Sequence, residues 1–228
     1  MSFLLKRVVT ILNIQRKLAH SSNYTFGRTK PIQYIVIHYT ANNGDTAKGN
    51  CNYFATGGRN ASAHYFVDEN SVYQSVSDDN TAWSVGAKNY AHPYCRNHNS
   101  ISIEMCSRKD NNGAYYIKDE VVANTVGLTK ELMKKYNIPI DNVLTHNLVT
   151  GKRCPEPFVR NPDLWSAFKK RLEGDDEVVE ISKMIVNGKE ISVDRILKNG
   201  TNYIKIRDIA DALGYNISSQ GNIPVLTK

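Results

Sequence analysis

Apolar and polar positions alternate in several short stretches of the chain, a pattern that is typical of β-strands. The clearest is Ile32–Ala41, which is rich in β-branched and aromatic residues. Ser100–Cys106 also alternates and places Glu104 on its polar face. Residues 62–76 predict two strands joined by a turn around Glu69–Ser71. The first part of the chain is therefore predicted to contain several short strands.

Stretches with a helical period of apolar positions separate these strands. Asp119–Tyr136 fits an amphipathic helix, and a short strand at residues 142–146 follows it. Residues 45–58 predict a helix that begins near an aspartate and a threonine and ends at a Gly-Gly pair. Residues 161–174 predict a last helix with an asparagine cap and proline at its first position. The spacing in Val8–Leu18 is compatible with a short N-terminal helix.

An acidic segment at residues 174–180 interrupts this pattern, and we place a domain linker there. It separates a large domain, residues 1–173, from a small module, residues 181–228. In the module, Asn187-Gly188 predicts a β-hairpin turn. A further strand and a short helix at residues 207–215 follow. The module is therefore predicted to be a small α+β domain with its own core.

Composition and charge narrow the class of partner. The chain has 228 residues, of which 41% are hydrophobic and 22% charged, a balance that argues against disorder. The formal net charge is +7, with +8 in residues 1–173 and −1 in the remainder. The large domain is therefore expected to meet a polyanion, such as nucleic acid, anionic lipid or an anionic cell-wall polymer. Charge alone does not choose among these.

The cysteines and the N-terminus bear on the compartment. Nothing in a chain of this length forces disulfide pairing, and we expect free thiols. The first apolar run is broken by Lys6 and Arg7, and no small-residue cleavage site follows, so we expect synthesis in the cytoplasm without a signal peptide. No apolar stretch is long enough to predict a membrane span. The four cysteines are Cys51, Cys95, Cys106 and Cys154.

Two histidines and one cysteine form a candidate metal set. His146 and Cys154 are eight residues apart, so one loop can supply two ligands, and His38 lies in the strand Ile32–Ala41. Two imidazoles and one thiolate suit a catalytic zinc ion with one open position for water. The alternative is that His38 is a buried structural histidine and that the His–Cys spacing arises by chance.

Four segments in order then resemble one family: "YIVIHYTANNGDTA", "SAHYFVDE", "SISIEMC" and "THNLVTGKRCP". Together they are similar to the zinc-dependent N-acetylmuramoyl-L-alanine amidases, which include amidase-type phage lysozymes, bacterial autolysins and peptidoglycan-recognition proteins. The resemblance covers roughly residues 25–172. It implies an α/β fold, with a mixed central β-sheet flanked by helices, followed by the second, small α+β domain.

The resemblance also implies roles for individual residues. His38, His146 and Cys154 match the three Zn²⁺ ligands; many relatives have Asp at the third position. Lys152 matches the catalytic lysine and Glu104 the general base. Some relatives use a tyrosine in the mechanism at the position of Ala63. Its absence here favours Glu104 as the general base.

Residues that would line the substrate groove are less sharply defined. Trp83 has a core role as its alternative, and His64 the role of a hydrogen-bond partner behind the site. Arg153 has no definite role. The candidate substrate-binding residues are His64, Trp83 and Asn99.

The activity implied by the resemblance is hydrolysis of the amide between the lactyl group of N-acetylmuramic acid and L-alanine of the stem peptide. The expected partner is peptidoglycan, with anionic wall polymers as a further possibility, and the expected biological context is a phage or prophage endolysin or an autolysin that acts on the cell wall after release. A non-catalytic peptidoglycan-binding protein on the same fold is the alternative. A nucleic-acid-binding protein with a structural zinc is disfavoured because no fourth ligand is evident.

The module at residues 181–228 resembles the copper-amine-oxidase N-terminal-like, or stalk, module. No copper is implied, because residues 174–228 contain neither His nor Cys. The resemblance implies wall attachment or self-association. A helix-turn-helix is the competing interpretation, and the net charge of −1 disfavours DNA as its ligand.

Overall fold

The structure is a computed structural model that describes residues 13–173, 179–198, 201–220 and 223–228. The chain forms two compact units, one of residues 12–174 and one that contains residues 175–228. Most of the predicted linker, residues 174–178, lies outside the described residues.

The described residues of the first unit form ten short strands and five α-helices. The strands are β1 (Ile14–Arg16), β2 (Tyr24–Thr25), β3 (Tyr34–Tyr39), β4 (Tyr65–Val67), β5 (Val72–Gln74), β6 (Thr81–Ala82), β7 (Ser100–Met105), β8 (Arg108–Lys109), β9 (Tyr115–Tyr116) and β10 (Val143–Thr145). The helices are α1 (Ala47–Phe54), α2 (Asp119–Tyr136), α3 (His146–Thr150), α4 (Glu156–Arg160) and α5 (Pro162–Glu173).

Six of these strands form a mixed sheet in the order β1-β5-β4-β7-β3-β10. Strands β4, β7, β3 and β10 run parallel, whereas β4 and β5 form an antiparallel hairpin. The small pairs β2–β6 and β8–β9 lie outside this sheet.

Helices cover both faces of the sheet. Ile35 and Ile37 of β3 belong to the main core, to which α2 and α5 contribute Leu128 and Phe168. Val36 points to the other face, since side chains alternate along a strand, and packs in a second cluster that includes a residue of α3. Helix α1 packs against β4 and β5 on this second side. The predicted α/β class, a mixed central sheet flanked by helices, is confirmed.

Most predicted elements of this unit are present. The strands in Ile32–Ala41 and Ser100–Cys106 and the helix Asp119–Tyr136 are confirmed. Helix α1 begins after Thr46, whose hydroxyl caps the helix by accepting the Gly49 N–H.

The predicted N-terminal helix Val8–Leu18 is wrong where the structure describes it. Residues 8–12 lie outside the described residues, and Ile14–Arg16 forms β1, parallel to β5 at the edge of the sheet. Ile14 packs against the main core. A free sheet edge and this core contact outweigh the weak local preference for helix.

The segment that carries His146 and Cys154 was predicted as a loop, but it begins with a short helix. Thr145 caps α3 by accepting the Leu148 N–H at 3.2 Å. Gly151 ends it with φ +80°, a conformation that favours glycine. Helix α4 was not predicted.

The second unit contains β11 (Val179–Val186), β12 (Lys189–Lys198), β13 (Thr201–Ile204), α6 (Ile206–Leu213), β14 (Asn216–Gln220) and β15 (Ile223–Thr227). Strands β11, β12 and β13 form an antiparallel sheet against which α6 packs. The Asn187-Gly188 turn is confirmed, since both residues have positive φ (49° and 77°). The hairpin β14–β15 was not predicted.

Two further findings concern the cysteines and the character of the helices. All four cysteines are free and buried. None of the helices in the described ranges combines the length and apolar character that crossing a bilayer requires.

Candidate active site

Parallel pairing gathers the candidate residues at one edge of the sheet. His38 lies near the carboxyl end of β3, and Glu104 occupies the directly opposite position of β7. His146 immediately follows β10, the neighbour of β3 on its other side. Since parallel strands end at the same edge, three side chains far apart in sequence meet there.

A tight reversal after α3 returns the chain to this edge. The Asn147 N–H donates to the Cys154 carbonyl at 2.8 Å, and the Asn147 side-chain amide donates to the Lys152 carbonyl at 3.0 Å. Cys154 is followed by a cis proline bond. These contacts bring the thiol beside His146.

The three candidate ligands are buried and close together. One ligand atom from each of His38, His146 and Cys154 lies within 4.8 Å of the other two. Cys154 Sγ is 3.8 Å from His38 Nδ1, and the two imidazole centroids are 4.6 Å apart. In a tetrahedral zinc site, sulfur and nitrogen ligands stand about 3.5 Å apart. The Cys154–His38 distance is close to this value.

The donor set fits a metal ion in other ways. His146 Nδ1 is buried and has no hydrogen-bond partner among the described residues. Burial, reinforced by Lys152, lowers the pKa of His146 to about 4, and burial holds the pKa of His38 well below its usual value. Both imidazoles are therefore neutral, as metal ligands must be.

The Cys154 thiol can ionise in this buried position only with a cation beside it. Burial, together with the nearby Glu104 carboxylate, raises the pKa of Cys154 to about 12. A buried thiolate is stable only beside a positive charge, and a divalent ion held by sulfur and two imidazoles supplies one.

Glu104 stands next to this ligand set. Its Oε1 is 3.9 Å from His38 Nδ1, its side chain is 20% exposed, and its Oε2 is buried without a hydrogen-bond partner in the described part of the chain. Burial raises the pKa of Glu104 to about 8, and Lys152 opposes the shift. A carboxyl group with a pKa near neutrality can accept and return a proton.

A cavity of about 500 Å³ opens beside these residues. His146 reaches it from the sheet edge, and the exposed Lys152 lies on its rim. Trp83 forms part of its wall, with its indole N–H donating to Thr25 Oγ1 at 2.9 Å. Other lining residues include Asn60, Gly86, Asn97 and Thr150.

His64 and Asn99, the other candidate groove residues, are buried. His64 Nε2 lies 2.7 Å from the Arg28 guanidinium, and Nδ1 accepts the Ser102 N–H at 3.0 Å. The Asn99 amide donates to the Tyr94 carbonyl at 3.1 Å. His64 thus occupies the position of a hydrogen-bond partner, the alternative that the sequence left open, and the groove role of Trp83 stays a prediction.

The structure shows the surroundings of three further residues, Arg153, Asp45 and Arg28. Arg153 is exposed and pairs with Glu156 at 3.1 Å, three residues along the chain. Asp45 lies close enough to raise the pKa of Glu104, and Arg28 anchors His64. Asp45 lies within the first segment of the family resemblance, but no motif relates it to Glu104, and none points to Arg28, because both act through partners that are distant in the chain.

The parallel sheet edge thus brings together a buried His–His–Cys set that could hold a metal ion and a neighbouring carboxylate, as in a metal-dependent hydrolase. Residues 28–157 match the N-acetylmuramoyl-L-alanine amidase family, to which the chain belongs. Members of this family depend on zinc.

Among curated relatives, a probable N-acetylmuramoyl-L-alanine amidase of Bacillus licheniformis is 30% identical over 204 residues, covering 83% of this chain and 56% of the relative. The amidase XlyA of Bacillus subtilis (strain 168) is 32% identical over 143 residues, covering 62% of this chain and 44% of XlyA. The chain thus spans about half the length of these relatives.

Solved structures give the same fold. The catalytic domain of XlyA superimposes with a TM-score of 0.60 at 29% identity, covering 71% of this chain and 99% of that domain. The structure of PlyL gives a TM-score of 0.59 at 31% identity, covering 71% of this chain and 97% of PlyL.

Proposed function

We propose that the protein is a zinc-dependent peptidoglycan hydrolase, an endolysin or autolysin. It cleaves the amide between the lactyl group of N-acetylmuramic acid and L-alanine of the stem peptide. The observation that carries the proposal is the convergence of His38, His146, Cys154 and Glu104 at one sheet edge beside an open cavity. The family and the names of its relatives supply the bond that is cut.

His38, His146 and Cys154 would hold the zinc ion. When bound, zinc supplies the Lewis acidity that polarises the amide carbonyl and acidifies the attacking water.

The chain's own side chains carry the proton and stabilise charge. Glu104 accepts a proton from the water while the water oxygen attacks the carbonyl carbon. Glu104 then delivers this proton to the amide nitrogen as the C–N bond breaks. The products are the lactyl carboxylate and a free L-alanine amino terminus. Lys152, on the cavity rim, places its ammonium near the oxygen on which negative charge develops.

A peptidoglycan-binding protein without catalysis is the second candidate. It would need neither a carboxylate beside the candidate ligand set nor a lysine at the cavity rim. Glu104 and Lys152 therefore favour the enzyme.

We propose that the second unit is a stalk-like module and that it serves in wall attachment or self-association. Supporting this, Ile181 and Ile185 of β11 are 82% and 72% exposed and lie on the same side of the strand. The excess positive charge of residues 1–173 supports attraction to anionic wall polymers, which salt would weaken.

Digestion of purified peptidoglycan with mass analysis of the products tests the activity. New free L-alanine amino termini are expected, whereas new reducing sugar ends would identify a glycosidase. Protein treated with a chelator and resupplied with zinc provides the matched control, since activity should vanish and return.

A further inference from the structure

A second cavity, of about 390 Å³, adjoins the cavity beside His146. The two share Trp83 and Asn97 in their walls, so the open surface continues past the indole ring. The second cavity is formed mainly by residues 25–29, which follow β2. A ligand in the first cavity that extends in this direction enters the second.

The loop at residues 25–29 is held firmly in place. The Gly27 N–H donates to Asn80 Oδ1 at 2.9 Å, and the Thr81 hydroxyl donates to the Gly27 carbonyl at 2.8 Å. Strand β2, which leads into the loop, pairs with β6. The backbone is thus fixed from the side of β6.

The Arg28 side chain also holds this loop in place. Its guanidinium donates to the carbonyls of Asp78, His98 and Ser100 and contacts His64. Phe26, between these anchors, is nevertheless 88% exposed. An aromatic ring displayed on a rigid loop is a preformed binding surface, since little order is lost when a ligand packs on it.

The lining of the cavity is aromatic and rich in hydroxyl groups. Phe26 and Trp83 supply two rings, and Thr25 and Thr29 supply hydroxyls. Apolar ring faces and alcohol groups together match a sugar, which has a C–H face and many hydroxyls.

Charge in the cavity argues for a neutral ligand. Among the described lining residues only Arg28 and His98 can carry charge. The Arg28 guanidinium is occupied by backbone carbonyls, and burial followed by the nearby Lys30 lowers the pKa of His98. Stem peptides carry free carboxylates, for which these residues offer no available cation.

We propose that this second cavity is a saccharide subsite, in which Phe26 stacks on a sugar of the glycan strand next to the residue whose amide is cleaved. The inference rests on the proposed function, because it is the substrate polymer that continues from one cavity into the other.

The test uses the full chain and a tetrasaccharide of N-acetylglucosamine, which carries no carboxylate, titrated while NMR follows the indole N–H signals. The Trp83 signal should shift and the Trp165 signal should not. Phe26→Ala should raise the Kd about fivefold to tenfold, and Phe26→Tyr should restore it. Tyr94→Ala is the matched control, since Tyr94 is 71% exposed and lines neither cavity.

Two results would overturn the subsite: no binding of the tetrasaccharide, or binding by Phe26→Ala equal to that of the wild type. Release of L-alanine termini from walls is measured separately. A protein that releases them but does not bind the tetrasaccharide keeps the proposed function and loses the subsite. A protein that binds the tetrasaccharide but releases no termini keeps the subsite and loses the proposed function.

Discussion

His38 and Glu104 face each other across two parallel strands, with Nδ1 of the histidine 3.9 Å from Oε1 of the glutamate. One strand register thus sets both a candidate metal ligand and the candidate general base. A slip of one residue would turn either side chain to the opposite face of the sheet. The core residues Ile37 and Ile103, paired in the same register, oppose such a slip because both are fully buried.

Cys154→Ala should lose metal and activity together. Wild-type protein should contain about one zinc ion per chain, because three convergent ligands and one open position form a catalytic site. The alanine variant removes the only anionic ligand and should be metal-free and inactive on walls. Cys154→Asp, which restores an anionic ligand, should recover part of both. Metal analysis beside a wall-lysis assay measures this, and full lysis by metal-free protein would refute the zinc assignment.

Glu104→Gln should keep zinc and lose turnover. The substitution preserves shape but removes the proton acceptor, which costs about 10²- to 10⁴-fold in kcat. Zinc content and thermal unfolding should match those of the wild type, so a loss of fold cannot account for the result. Wild-type digestion by this variant would remove Glu104 from the mechanism.

Lys152→Ala should lower kcat by about 10²- to 10³-fold, the usual loss when a group that stabilises an oxyanion is removed. Arg153→Ala is a close control, because Arg153 is the next residue and is exposed, and its ion pair with Glu156 is a surface contact. The control should stay within about twofold of wild type. If both variants lose activity equally, general positive charge rather than the position of Lys152 is responsible.

Asp78 should make the fold sensitive to acid. Burial alone raises its pKa, but hydrogen bonds from Tyr136 and Tyr65 and the Lys135 ammonium outweigh burial and leave the pKa below its usual value. The folded state therefore holds the carboxylate more firmly than the unfolded chain does. The stabilisation is complete above the unfolded pKa of about 4 and is lost as pH falls through the lower folded pKa.

Asp78→Asn tests this directly. At pH 7 it should lower the free energy of unfolding by about 2 kcal/mol, since hydrogen bonds to a charged group are lost. Near pH 2 the difference from wild type should shrink. Urea unfolding at the two pH values measures it, and a difference that does not depend on pH would contradict the role of the carboxylate charge.

The sequence predicts the local parts of this site better than the long-range ones. The alternation in β3 places His38 on the face opposite Ile35 and Ile37, and the spacing of His146 and Cys154 follows from the chain itself, but the resemblance to the family is what implies that the three are ligands. The pairing of His38 with Glu104 is a register between strands more than sixty residues apart, which no local pattern encodes. The strand at Ile14–Arg16 was mistaken for helix because its conformation depends on the sheet edge it joins. His64 is likewise explained only by Arg28, a distant partner.

Thr145 should position a metal ligand through its helix cap. Its hydroxyl accepts the Leu148 N–H at 3.2 Å at the start of α3, and His146 is the first residue of that helix. Thr145→Val keeps the shape but removes the cap, at a cost of about 1 kcal/mol in stability. Because α3 has only five residues, loss of the cap should also loosen His146 and weaken zinc binding. Competition with a chelator measures the affinity, and Thr145→Ser should rescue it. If Thr145→Val lowers stability but leaves zinc affinity unchanged, the cap serves the fold alone.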